Sequence, residues 1–351
     1  MPSPRILVLP LLLLCLAACS DGSDGTPRPV LLLDFSSAPI DLGGTGASYA
    51  QDVRYGPAER NLFDIYLPDC DGPTALVIWI HGGGFTGGDK DSASADYIRE
   101  FLQACVAHAA INYTLLDVPG ADQDTTPAVN QGGVLTSLQD AARALQFMRY
   151  HHASLGIDPQ RVALYGASAG AGASLWLGNH DDLADPGNPD PVLRESTRVS
   201  AVGALATQAT YDLLLWEDIL LPITLPFADL LGGTDVPTIA AGLGATNYLL
   251  TFLGVASVED IFSADNAAYR ANVDMLGLMD AGDAPIYVHN FDTGFGDPLN
   301  LFLHHGVHAL AVKARADEVG LHSVAYVDDE EYLLADPSGE GLTSFLLRHI
   351  R

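Results

Sequence analysis

Apolar residues fall along this chain in short unbroken runs separated by longer mixed stretches. Ala75–Ile80 is apolar at every position. A run of that length and purity predicts a strand buried on both faces of a parallel sheet. Val106–Asn112 and Arg161–Tyr165 predict further strands. Helical spacing over about 92–105, 134–153 and 169–178 separates and follows these runs. Strands alternating with helices predict an α/β chain with a doubly wound, mostly parallel sheet. Val53–Tyr55 and Leu62–Leu67 predict an opening antiparallel pair, and Asp158-Pro159 a turn before the third buried run. Asn179–Pro191, rich in Asp, Pro and Asn, predicts a loop. Val199–Leu205, Pro285–Asn290 and Ser323–Val327 predict further core strands. From about 211 to 279 the alternation breaks. Trp216, Ile219, Leu220, Leu221, Ile223, Leu225 and Phe227 form a strongly apolar segment, with helical spacing over 237–253 and 257–277. This stretch predicts a helical cap inserted at about 208–280.

Two motifs add chemistry to the pattern. Gly166-Ala167-Ser168-Ala169-Gly170 directly follows the Arg161–Tyr165 run. A strand turning sharply into a helix presents Ser168 at the positive end of that helix, and side chains at Gly166 or Gly170 would collide with neighbouring elements. His81-Gly82-Gly83-Gly84-Phe85 follows Ala75–Ile80. Glycines after a buried strand leave backbone N–H groups free to stabilise an oxyanion. A glycine-rich loop could instead cradle phosphate, but no Lys-Ser/Thr follows these glycines as a P-loop requires. Gly82, Gly84 and Gly87 match a dinucleotide fingerprint in form, yet Gly87-Gly88-Asp89-Lys90-Asp91 continues as loop, not as an apolar helix start.

With both motifs in this order, the chain resembles the α/β-hydrolase fold. The likeness is to its HGGG-bearing esterase and lipase branch, which includes hormone-sensitive-lipase-like and carboxylesterase-like enzymes. The resemblance covers roughly residues 50–350. It is dense from His81 to Lys90, at Ile111-Asn112-Tyr113 and from Gln139 to Trp176, and it fades in the middle and near the C-terminus. It implies Ser168 as nucleophile, with the N–H groups of Gly83, Gly84 and Ala169 as oxyanion donors and His81 fixing the glycine loop. It implies an acid after the Pro285–Asn290 strand, where both Asp292 and Asp297 stand. An apolar cap suits an acyl chain or an aromatic ester, although burial of the cap against the core accounts for most of its apolar residues.

The general base departs from the family pattern. The family carries its histidine after the last strand, but Asp328–Glu340 contains none. His322 and His349 belong to the opposite end of the sheet or a closing helix, and His151, His152 and His180 end helices that run away from the site. His304 and His305, with His308 one turn on, follow the acid loop and open a helix over 305–319. The expectation is that His304 or His305 has taken over as base.

The ends and the composition set further bounds. Arg5 precedes the apolar stretch Ile6–Leu16, which is too short to span a bilayer as a mature helix. Leu16-Ala17-Ala18-Cys19 resembles a bacterial lipobox, which implies removal of residues 1–18 and acylation of Cys19. Residues 19–48 then predict a flexible tether, and 49–351 the hydrolase domain. The implied location is the bacterial cell envelope, with membrane contact only through the anchor. Sixteen basic against 44 acidic residues give a net charge of −28. Nucleic acid and polyanionic substrates are therefore disfavoured. No metal or organic cofactor is implied. An oxidising compartment permits a disulfide between Cys70 and Cys105. The resulting reading is an exported, lipid-anchored serine hydrolase of small-molecule or lipid-like carboxylic esters. Its rivals are a non-catalytic binding protein on the same scaffold and a peptidase of the same fold.

Overall fold

The computed structural model describes residues 28–120, 132–224, 232–291 and 298–351. Nine strands form one sheet: β1 Phe35–Ser36, β2 Ala47–Arg54, β3 Leu62–Pro68, β4 Thr74–Ile80, β5 Val106–Ile111, β6 Ile157–Ala167, β7 Ala201–Leu205, β8 Ile286–Asn290 and β9 Ser323–Val327. Their order across the sheet is β1-β2-β3-β5-β4-β6-β7-β8-β9. The pairings from β1 to β5 are antiparallel, and those from β5 through β9 are parallel. The doubly wound, mostly parallel sheet expected from the alternation is the observed architecture.

All seven residues of β4 are buried because helices cover both faces. Leu76, Ile78 and Ile80 face the helices Val134–Tyr150 and Ala169–Asn179, whereas Ala75, Val77 and Trp79 face Ala95–Gln103 and Leu342–Ile350. Each large apolar side chain buried this way stabilises the fold by roughly 1.5–3 kcal/mol relative to exposure. The register matters for function. Ile80 of β4 pairs with Gly166 of β6, so the loops that leave these two strands emerge side by side.

Two expectations change. The segment 28–48 is not a flexible tether. Arg28 donates to the carbonyls of Arg149 and Tyr150 and pairs with Glu195 at 2.8 Å, Leu31 N–H donates to Ser154 Oγ, and β1 pairs with β2. The folded domain therefore begins well before residue 49. Asp158-Pro159 lies within β6, not in a separating turn. The β4–β6 register shifts there, and a proline that cannot donate to a ladder is accommodated at such an irregularity. The helix expected over 305–319 is present as Gly306–Val319 with His305 as its cap, and a shorter helix, Pro298–His304, precedes it.

The chain between β7 and β8 leaves the sheet and forms helical pieces, among them Trp216–Ile219, Val236–Gly242, Thr246–Leu253 and Ala264–Val273. Of the apolar cap segment, Trp216 and Leu220 are buried, Leu221 is exposed, and Leu225 and Phe227 lie outside the described residues, as does Cys19. Cys70 and Cys105 form a disulfide with a Cα separation of 5.9 Å. They immediately precede β4 and β5, at the opposite end of the parallel strands from the glycine loop. Among the described residues, no helix is long and apolar enough to cross a membrane.

Candidate active site

β6 ends at Ala167, and the helix Ala169–Asn179 starts two residues later, so Ser168 has to make the whole turn. It does so with φ 53° and ψ −121°, a conformation that costs a non-glycine residue on the order of 1–3 kcal/mol. Its N–H donates to Leu205 O at 2.9 Å, and its carbonyl accepts from Gly172 N–H at 3.1 Å. The flanking glycines are required by space. A Cβ on Gly170 would lie 1.9 Å from Ile80 O, and one on Gly166 would lie 2.3 Å from the Gly170 backbone.

Ser168 Oγ lies 2.8 Å from His304 Nε2. His304 ends the helix Pro298–His304, and that helix end is held by side chains. His308 Nε2–H donates to Phe302 O at 2.8 Å, and Gln208 Nε2–H donates to Leu303 O at 2.7 Å. Asn290 Nδ2–H is shared between the carbonyls of His304 and His305 at 3.1 and 3.2 Å. Carbonyls at a helix C-terminus have no partner within the helix, so these side chains complete it and fix where His304 sits.

His305 stands elsewhere. Its Nδ1 accepts from Val307 N–H at 3.2 Å as the cap of the next helix, and its Nε2 is 3.7 Å from Asp329 Oδ2. Burial lowers its pKa. His308 is fully buried, accepts from Ala209 N–H, and is pushed down to about 4 by burial. Both serve the backbone. Of the two histidines the sequence left open, the fold brings only His304 to Ser168. Asp292 and Asp297 lie outside the described residues.

The glycine loop runs beside Ser168. Gly83 and Gly84 adopt φ of 106° and 59°, which only glycine takes up without strain. A Cβ on Gly83 would also sit 2.4 Å from Gly87 O. Every carbonyl from His81 to Phe85 has a donor. Tyr113 OH donates to His81 O at 2.8 Å, and His81 Nδ1–H to Gly82 O at 2.6 Å. The N–H groups of Thr86 and Gly87 donate to Gly83 O, Tyr248 OH donates to Gly84 O at 2.9 Å, and Leu116 N–H donates to Phe85 O at 2.7 Å. The N–H groups of Gly83, Gly84 and Ala169 donate to no protein acceptor among the described residues. Burial lowers the His81 pKa and keeps the imidazole neutral, Nδ1–H donating while Nε2 faces Arg60 at 3.5 Å. His81 thus holds the loop and lies behind it.

Ser168, Gly83, Gly84, Ala169 and His304 open onto one cavity of about 320 Å³. The cap supplies most of its wall through Trp216, Leu220, Val236, Ile239, Leu243 and Leu249. The phenols of Tyr211 and Tyr248 also reach it, but both hydroxyls are engaged, Tyr211 OH donating to Ala169 O at 2.8 Å. Among the described residues, no three His, Cys, Asp or Glu side chains are placed to share a metal ion. Sequence reasoning missed Gln208, Tyr211, Tyr248 and Asn290. None belongs to a motif, and each acts through a backbone carbonyl distant in sequence.

A family model described as BD-FAE matches residues 63–202. A probable isoprenylcysteine alpha-carbonyl methylesterase of Arabidopsis thaliana is 28% identical over 161 residues, which cover 44% of this chain and 30% of that protein. The probable carboxylic ester hydrolase LipM of Mycobacterium tuberculosis is 28% identical over 214 residues, covering 59% of this chain and 43% of that protein. The chain thus spans less than half the length of these relatives. Among solved structures, a truncated form of a carbohydrate esterase from gut microbiota superposes with a TM-score of 0.57 at 16% identity, covering 86% of this chain and 95% of that one. A bifunctional GH43-CE protein of Bacteroides eggerthii superposes with a TM-score of 0.54 at 16% identity, covering 86% of this chain and 38% of that one. The parallel sheet, the serine turn at the end of β6 and these superpositions together show that the chain has the α/β-hydrolase fold.

Proposed function

We propose that this chain is a serine hydrolase of carboxylic esters working through an acyl-enzyme on Ser168. The observation that carries this reading is the 2.8 Å contact between Ser168 Oγ and His304 Nε2, inside an apolar cavity walled on one side by the glycine loop. A serine hydroxyl attacks well only when a base accepts its proton. His304 takes that proton as Ser168 Oγ bonds to the acyl carbon. The negative charge moves to the former carbonyl oxygen, toward the N–H groups of Gly83, Gly84 and Ala169. One such donor contributes about 3 kcal/mol to the transition state. His304 then protonates the leaving alcohol, and water, deprotonated by the same imidazole, releases the acid. Asp292 or Asp297 orients His304.

The wall of the cavity favours an apolar acyl or aryl group. A polyhydroxylated ligand needs several free polar partners, and the two tyrosine hydroxyls that reach the cavity are already committed to backbone carbonyls. The export reading stands beside this one: residues 1–18 act as a signal, acylated Cys19 anchors the chain at the cell envelope, and the Cys70–Cys105 disulfide suits an oxidising compartment. A fluorophosphonate probe tests the activity directly. Labelling at Ser168 in the wild type, lost in His304→Ala, is the expected result, and an unlabelled wild type would sink the reading.

A further inference from the structure

The cap does more at this site than roof the cavity. Of the five consecutive carbonyls from His81 to Phe85, four are held by the sheet side of the molecule or by the loop itself. The fifth, Gly84 O, is held by the phenol of Tyr248, which comes from the cap helix Thr246–Leu253 at a sequence distance of 164 residues. Gly84 is one of the oxyanion residues, and its neighbour Phe85 is held at φ 60°, a strained conformation for a bulky side chain. Phe85 is buried and packs edge-on to Phe252 of the same cap helix, their ring centroids 6.0 Å apart, and to Tyr211 at 5.4 Å. Tyr248 in turn packs on Phe252 at 5.7 Å. Burial raises the pKa of the Tyr248 phenol, so it remains a protonated donor.

We propose that Tyr248 is a positioning residue through which the cap sets the oxyanion loop for the tetrahedral intermediate. The proposal rests on the reading of Ser168 and the glycine loop given above. Without the phenol, Gly84 O loses its donor, and the Gly84–Phe85 peptide is free to rotate away from its strained setting. The N–H donors then spend less time where the oxyanion forms. Catalysis falls, but binding of the acyl chain, which depends on the apolar wall, does not.

An alkyl trifluoromethyl ketone and the alkanol of the same chain length separate these effects. In the ketone adduct, Ser168 Oγ bonds to the carbonyl carbon, the π pair moves onto oxygen, and the serine proton passes to His304. The alkanol only fills the cavity. Tyr248→Phe removes one oxygen. It is expected to weaken inhibition by the ketone and to lower kcat each by about tenfold, the worth of one hydrogen bond, with KM and alkanol inhibition changed less than about twofold. Asn247→Ala is the control. It removes a different cap contact, Asn247 Nδ2–H to the carbonyls of Pro119 and Gly120. Equal weakening of ketone and alkanol in Tyr248→Phe, no change in either, or the same selective loss in Asn247→Ala would overturn the proposal. A wild-type protein that neither binds the ketone nor reacts with a fluorophosphonate overturns the underlying reading instead, and this inference with it.

Discussion

Ser168 Oγ and His304 Nε2 meet at 2.8 Å although 136 residues separate them. The adjacent His305 spends both ring nitrogens elsewhere, one on Val307 N–H and the other facing Asp329. A break between two helices accounts for this divergence. His304 closes the first helix, and His305 caps the second. The two imidazoles therefore leave the backbone in different directions.

This contrast predicts that the two histidines separate in function. His304→Ala is expected to lower kcat on a short-chain aryl ester by on the order of 10³-fold, the range for loss of a general base. His305→Ala is expected to keep kcat within a few-fold while losing about 1 kcal/mol of stability through the missing cap. Steady-state kinetics together with urea unfolding check both. A dead His305→Ala of normal stability would reverse the assignment.

Gly172 predicts a coupling between the serine helix and the chain after β7. A Cβ there would sit 2.0 Å from Tyr211 OH, which donates to Ala169 O. Gly172→Ala should displace that phenol and destabilise the protein by on the order of 1–3 kcal/mol. The double variant Gly172→Ala, Tyr211→Phe should recover part of the loss. Additive losses would show that the two positions do not meet.

The Cys70–Cys105 link closes a sequence separation of 35 residues. In the chain-entropy account a loop of that size stabilises the fold by about 4 kcal/mol. Cys70→Ser with Cys105→Ser should therefore lower the denaturant midpoint markedly. The kcat at a temperature where the variant is folded should be unchanged, because the link lies at the far end of the strands from Ser168. A large loss of kcat in the folded variant would contradict that separation.

Acid should weaken the fold through buried histidines. Burial holds His308 down to about 4 and His108 to about 3 in the folded protein. In the unfolded chain both titrate near about 6.5. Below that value the unfolded state binds more protons. Stability is therefore fully present above about pH 6.5 and lost as pH falls toward the folded values, by at most about 1.4 kcal/mol per pH unit for each group. Urea midpoints compared between about pH 7.5 and about pH 5 should show the decline, with a shallower slope in His308→Gln. An identical slope in that variant would remove His308 from the explanation.

Ile239 lies in the cavity wall on the cap helix Val236–Gly242. Ile239→Trp fills part of the space and should raise KM for a medium-chain ester by about tenfold while sparing an acetyl ester, in keeping with about 1–3 kcal/mol for pocket volume changes. Equal effects on both chain lengths would place the acyl group elsewhere.

The sequence alone determined what local chemistry can dictate. A wholly apolar Ala75–Ile80 between turn signals predicts a strand covered on both faces, and Gly166 and Gly170 around Ser168 predict a sharp turn that presents it. Three glycines after β4 shape the loop beside Ser168, because a side chain at φ near 106° or 59° is strained. Even the pair that places a histidine beside Ser168, His304–His305, was legible, from the absence of a histidine after β9. Which of the two meets Ser168 was not. That choice depends on where one helix stops, and the stop is set by Gln208, Asn290 and His308, which satisfy its last carbonyls from three different parts of the chain. The packing of 28–48 and the grip of Tyr248 on Gly84 O were hidden for the same reason. Motifs record what a segment does to itself. A hydrogen bond to a distant backbone carbonyl leaves no mark on the residues beside it, and only the tertiary structure shows it.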